Sequence, residues 1–224
     1  MADHADERLI DLSHVIEEGM TTYKGFPGPH LCDFWTREAS AANYDDGATF
    51  HIGRIDMIAN TGTYVDSPFH RYAHGKDLSE LPLASLADLE GLVVRRSFER
   101  GLAVDAPAFE GLDVRGKAVL VHTGWDRFWR TDAYFADHPF VTEAAARALV
   151  EGGAAFVGID SYNIDDTRAR SRPVHTILLG ADIPIGEHMT GLEKLPDDGF
   201  RFSAVPPKVK GMGTFPVRAF ARLG

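Results

Sequence analysis

The chain has 224 residues, 44% hydrophobic and 25% charged, an ordinary globular balance with enough length for one continuous core. A formal net charge of −10 with no offsetting cluster of Lys or Arg argues against nucleic acid as a partner, because that binding rests on basic side chains that neutralise phosphates. A single cysteine, Cys32, excludes an internal disulfide; the opening MADHADERLIDL lacks the basic cap and apolar run of a secretory signal, and no stretch approaches the roughly 20 consecutive apolar residues of a membrane helix, so a cytosolic protein is expected.

In chain order, the first element expected is a strand at Leu9-Ile10-Asp11-Leu12. The alternation of polar and apolar residues from Phe50 to Ile58 predicts a half-buried strand. It delivers the stretch Asn60-Thr61-Gly62-Thr63-Tyr64-Val65-Asp66-Ser67-Pro68-Phe69-His70 at its end. Leu86 to Leu89 reads as a short turn of helix, and Val93-Val94 and Lys117 to His122 as strands. Thr142 to Glu151 starts on a capping residue, is rich in alanine and stops at Gly152-Gly153, which predicts a helix. Ala155 to Asp160 is a further strand, and a second helix is expected after Pro173, in Val174 to Leu179. No repeat, low-complexity tract or linker divides the chain, so the expectation is one domain over residues 1–224, of mixed α/β class.

The stretch ending at His70 sits where a strand meets a loop, a place where binding and catalytic groups concentrate. Gly62 lets the backbone turn tightly there. Asp66 and His70, four residues apart with Pro68 fixing the chain between them, can share a cation. They can equally form a hydrogen bond or a solvated pair, and the residues alone leave this open. Further on lie His175, in Arg172-Pro173-Val174-His175, and Glu187, in Ile185-Gly186-Glu187-His188; both are flanked by apolar residues and need partners if buried.

Taken with Ile10-Asp11-Leu12-Ser13-His14, His122-Thr123-Gly124-Trp125 and Gly158-Ile159-Asp160-Ser161, these motifs resemble the cyclase family of metal-dependent hydrolases, which includes bacterial kynurenine formamidases and isatin hydrolases. The resemblance implies a compact swivelling β/β/α fold, a homodimer or higher homo-oligomer, and hydrolysis of a small amide or lactam by a bound divalent metal. The family pattern His-x-Gly-Thr-His-x-Asp-x-Pro-x-His is altered here, with Asn60 and Tyr64 standing where two histidines belong. An Asn oxygen is a weak neutral ligand and a phenol binds well only when deprotonated, so a metal site built on those two positions should be weakened or absent.

Carried over residue by residue, the resemblance implies one zinc or manganese ion per chain held by Asp66, His175 and Glu187. His70 then serves as general acid/base and Tyr64 as a hydrogen-bond donor to the substrate or tetrahedral intermediate. Asn60 and Trp125 are candidate substrate contacts, with Phe26, Trp35, Phe128 and Trp129 as further aromatic candidates. His14 either matches the family's opening motif or caps the end of a strand, and His188 beside Glu187 is a candidate supporting group. Arg168, Arg170 and Arg172 can grip a substrate carboxylate, with a solvated loop the expected account. Two alternatives share these residues: a family member that kept the fold for ligand binding, and a hydrolase of lactones or esters.

Overall fold

The computed structural model describes residues 9–224; Met1 to Arg8, including most of the opening stretch, lie outside the described residues. Thirteen strands and three α-helices run in chain order: β1 (Leu9–Asp11), β2 (His30–Trp35), α1 (Arg37–Ser40), β3 (Ile52–Asp56), β4 (Tyr64–Asp66), β5 (Leu89–Arg95), β6 (Ala103–Val104), β7 (Ala118–His122), β8 (Phe140–Val141), α2 (Glu143–Gly152), β9 (Phe156–Ile159), α3 (Pro173–Gly180), β10 (Ile185–Glu187), β11 (Phe200–Ser203), β12 (Thr214–Pro216) and β13 (Phe220–Leu223). Nine of the strands form one curled sheet in the order β1-β13-β11-β5-β7-β9-β10-β4-β12.

The centre of that sheet, β5-β7-β9-β10, is parallel, and both flanks are antiparallel. Parallel strands need long crossovers, and α2 and α3 lie in two of them. The period-two alternation of the central strands splits their side chains between two cores. Leu92, Val94, Val119 and Val121 pack with Ala145, Leu149, Val174 and Leu178 of the helices. Val93, Ala118 and Leu120 point the other way, against Phe156, Met189, Phe200 and Phe202, where the sheet curls over itself.

Both expected helices are present. α2 starts at the N-cap Thr142, whose hydroxyl accepts from the Ala145 N–H, and closes on Gly153 in the left-handed region at φ +80°. α3 starts with Pro173 at its first turn, where a missing N–H costs nothing. The mixed α/β class is as expected. Two local expectations are corrected. The turn of helix expected at Leu86–Leu89 lies earlier, as a 3-10 turn over Leu83–Ser85 behind Pro82, while Leu89 opens β5. The strand expected to be half-buried is present as β3, but it is exposed throughout and pairs only with β2 in a separate ribbon. Its alternation prepares an apolar face, and no layer among the described residues covers it.

Candidate active site

Sheet register assembles the site. β4 lies between β10 and β12, with Tyr64 opposite Glu187 and Asp66 opposite Thr214. Tyr64 and Asp66 are two residues apart and so share a face. Before them, Gly62 adopts φ +65°, a conformation that favours glycine. After them, the 3-10 turn Pro68–His70 sets His70 beside Asp66. A Cβ on Gly213 would stand 2.5 Å from the backbone nitrogen of His70, so a glycine before β12 is what lets this turn lie against the sheet.

His175 comes from the first turn of α3. Asp165 accepts the backbone N–H groups of Val174 and His175 at 2.8 and 3.0 Å and the His175 Nδ1–H at 2.6 Å. One buried carboxylate thus caps the helix and fixes the ring, leaving Nε2 aimed away. Nε2 lies 3.6 Å from Asp66 Oδ2 and 3.8 Å from Glu187 Oε1. Those separations exceed a hydrogen bond. Asp66 Oδ2 is buried with no hydrogen-bond partner at all, an arrangement that is costly unless something charged completes it.

A divalent cation would complete it. Two ligands at roughly 2.1 Å from a tetrahedral ion sit about 3.4 Å apart, close to the observed spacings. Charge points the same way. Burial alone would lower the His175 pKa, but Glu187, Asp165 and Asp66 around it outweigh burial and raise it to about 10. Burial pushes the Glu187 carboxyl up, with His175 pulling it back. Three acids facing one imidazole leave the pocket short of positive charge. Asp66, His70 and His175 are the group among the described residues whose ligating atoms all lie within 4.8 Å of one another. His70 Nδ1, however, is 2.9 Å from the Thr214 hydroxyl, which itself donates to Asp66 Oδ1. His70 therefore gives Nδ1–H to Thr214, and its partly exposed ring lines the cavity.

Tyr64, one of the two positions where the resemblance leads one to expect a histidine, brings a different chemistry. Tyr64 is fully buried and its hydroxyl donates to Glu187 Oε2 at 2.5 Å. Burial, and then the charge of Glu187, raise its pKa well above the ordinary tyrosine value, so it stays a neutral phenol. Counting hydrogens fixes a directed chain behind it. Tyr134 donates to His188 Nδ1 at 2.8 Å, His188 Nε2 reaches the Tyr23 hydroxyl at 3.4 Å, and Tyr23 lies 2.6 Å from the Tyr64 hydroxyl. With the Tyr64 hydrogen committed to Glu187, Tyr23 gives its own to Tyr64. The Glu187 Oε1 accepts from the Ile164 N–H at 2.6 Å. The one hydrogen that would let Tyr64 serve a substrate is thus held by Glu187.

These groups floor a cavity of about 510 Å³, walled by Tyr23, Phe26, Phe135 and Tyr162. Asn60, Tyr64, His70, His175 and Glu187 all reach it. Asp66 lies just beneath. Trp125 does not line it: its indole donates to the Tyr134 carbonyl and packs on Phe98 and Phe128. Of the other aromatic candidates, Phe26 faces the cavity, whereas Trp129 stacks on His14 at 4.1 Å. Burial lowers the His14 pKa to about 4, which keeps that stacked ring neutral. Arg172, expected in a solvated loop, instead reaches the cavity. Asp165, Thr214 and Tyr23 are the residues that sequence reasoning missed. Only Asp165 left a signal, since a ligating histidine needs an acceptor for its other ring nitrogen and an acid ten residues before His175 is available.

Residues 10–166 match the family model described as "Putative cyclase". The kynurenine formamidase of Geobacillus thermodenitrificans is 27% identical over 95% of this chain and 96% of its own length, and that of Salinibacter ruber is 26% identical over 96% and 97%. Among solved structures, isatin hydrolase A from Labrenzia aggregata superposes with a TM-score of 0.81 at 20% identity, covering 96% of this chain and 93% of that one. A predicted metal-dependent hydrolase from Bacillus stearothermophilus gives 0.73 at 26% identity, over 96% and 97%. With its fold, its strand-end motif and its family match in agreement, the chain belongs to the cyclase family.

Proposed function

We propose that the protein is a metal-dependent hydrolase cleaving the C–N bond of a small aromatic or cyclic amide, with one zinc or manganese ion per chain. The observation that carries this reading is the buried, unpartnered Asp66 Oδ2 facing His175 Nε2. Asp66, His175 and Glu187 would hold the ion; when bound, it polarises the amide carbonyl and acidifies a water. His70, with Nδ1 tied to Thr214 and its ring lining the cavity, takes a proton from the attacking water and returns it to the leaving nitrogen. Tyr64 and Tyr23 hold Glu187 in place, and Tyr64 contributes to the reaction by that positioning. Asn60 lines the cavity, which supports a hydrogen bond from its amide to the substrate. The relatives named kynurenine formamidase support a formyl amide of an aromatic amine as the first substrate class to test.

The test is hydrolysis of formanilides and cyclic amides after loading with zinc or manganese. Turnover should be lost in His70→Ala with the metal retained, and lost together with the metal in Asp66→Ala. Full turnover in His70→Ala would remove the assigned acid/base; turnover of lactones or esters alone would reassign the substrate bond.

The reading extends to assembly. The ribbon of β2 and β3 exposes Leu31, Phe34, Ile52 and Ile55, and an isolated two-stranded ribbon is marginal in water. A second copy of the chain covering that face gives a homodimer or a higher homo-oligomer. No helix among the described residues is long and apolar enough to cross a membrane.

A further inference from the structure

The cavity rim carries two guanidinium groups that the chemistry above does not use. Arg71 follows His70 at the end of its 3-10 turn, and Arg172 immediately precedes α3, three residues before His175. Both line the same cavity as His70, His175 and Glu187. Neither lies within 4.0 Å of a carboxylate among the described residues, although Arg168 in the same loop is paired with Asp166 at 2.8 Å. In a chain with 33 acidic and 23 basic residues, two arginines left without an acid at one cavity call for an anionic partner.

Each guanidinium is also anchored on one side. Arg71 donates its Nε–H to the Thr176 hydroxyl at 3.1 Å. Arg172 donates through Nη1 to the carbonyls of Ala169 and Ser171 at 2.6 and 2.8 Å. The remaining donors of both side chains have no protein acceptor among the described residues. A guanidinium held by one edge with its other donors free suits a carboxylate, which it can grip through two parallel hydrogen bonds. With Asp66 and Glu187 assigned to the metal, no acid lining the cavity among the described residues is left over to receive an ammonium. Glu187 is the carboxylate on the cavity wall, and its oxygens accept from Tyr64 and the Ile164 N–H.

We infer that Arg71 and Arg172 select an aromatic amide that carries a carboxylate and no ammonium group, the ring lying against Tyr23, Phe26, Phe135 and Tyr162. This rests on the hydrolase reading for the bond cleaved, while recognition of the anion stands on its own geometry. The substrate would be net anionic, of the acylaminobenzoate type, in preference to a neutral anilide or a zwitterionic amino acid.

Two measurements on the full chain separate the claims. The first is kcat/KM of the metal-loaded protein for 2-formamidobenzoate, formanilide and N-formylkynurenine. The second is calorimetric binding of the corresponding product, 2-aminobenzoate, against aniline. The anionic amide should be preferred at least tenfold, through KM. Arg71→Gln and Arg172→Gln should each weaken 2-aminobenzoate by about tenfold, as expected for loss of a charged hydrogen-bond donor. Arg172→Lys should recover part of the loss, and Arg168→Gln, outside the cavity, should change nothing. Arg71 is exposed, so its variant tests the idea without threatening the fold. Equal kcat/KM for the three amides, or 2-aminobenzoate affinity unmoved by Arg71→Gln, would overturn the inference. Arginine-dependent binding of 2-aminobenzoate with no amide cleaved would leave anion selection standing and remove the hydrolase reading.

Discussion

At the scale of single residues, the side chains at Asn60 and Tyr64 bear on how many cations the site can take. The phenol of Tyr64 is neutral, buried and bonded to Glu187, so it offers no ligand. Introducing two histidines, Asn60→His with Tyr64→His, should raise metal content by about one ion per chain in elemental analysis; unchanged content would mean the surrounding phenols block the position for another reason. His175 gives a pH signature. With its pKa raised to about 10, a bound cation must displace a proton below that pH, so metal affinity should rise about tenfold per pH unit from neutrality towards pH 9. A flat profile in competition titrations would remove His175 from the ligand set. In metal-free protein the sign reverses in effect: a pKa above the ordinary 6.5 adds stability that is fully present below about pH 6.5 and is lost as pH rises through about 10. Melting curves in chelator should therefore fall across that window, and less so in His175→Gln. Asp66, His70, His175 and Glu187 were legible because the motif resemblance places them in order along the chain. Tyr23 and Thr214 were not, because hydroxyls far apart in sequence acquire meaning only when β4, β10 and β12 take their register.

Among elements, what was legible follows from how local the signal is. α2 announces itself through Thr142 and Gly152-Gly153, since a cap and a stop are written within a few residues. Thr142→Ala should cost about 1 kcal/mol, a shift of a few degrees in Tm, and leave the catalytic constants untouched. β3 shows the opposite case: its alternation was read correctly as a strand, but which layer covers an apolar face is a property of distant elements. The joint between the Pro68–His70 turn and β12 is equally silent in sequence, although Gly213 holds it open. A methyl there would meet backbone of His70 at 2.5 and 2.6 Å. Gly213→Ala should then displace His70 and lower kcat by more than tenfold, with the metal still bound; full activity would mean that the turn relaxes without moving the ring.

For the whole molecule, the curled sheet explains why one chain can place an acid-rich pocket and an aromatic cavity together. Its parallel centre is held from one side by α2 and α3 and from the other by the sheet's own return, and the site forms where the antiparallel strand β4 joins that centre beside β10. The uncovered ribbon makes assembly part of the account: Phe34→Asp with Ile55→Asp should convert an oligomer to monomers by light scattering, whereas a monomeric parent would refute it. A single catalytic metal held by Asp66, His175 and Glu187 is checked by elemental analysis of protein equilibrated with zinc or manganese and then desalted, alongside Asp66→Ala and His70→Ala. About one ion per chain is expected in the parent and in His70→Ala, and none in Asp66→Ala; two ions per chain, or none in the parent, would rule out a single metal at this site.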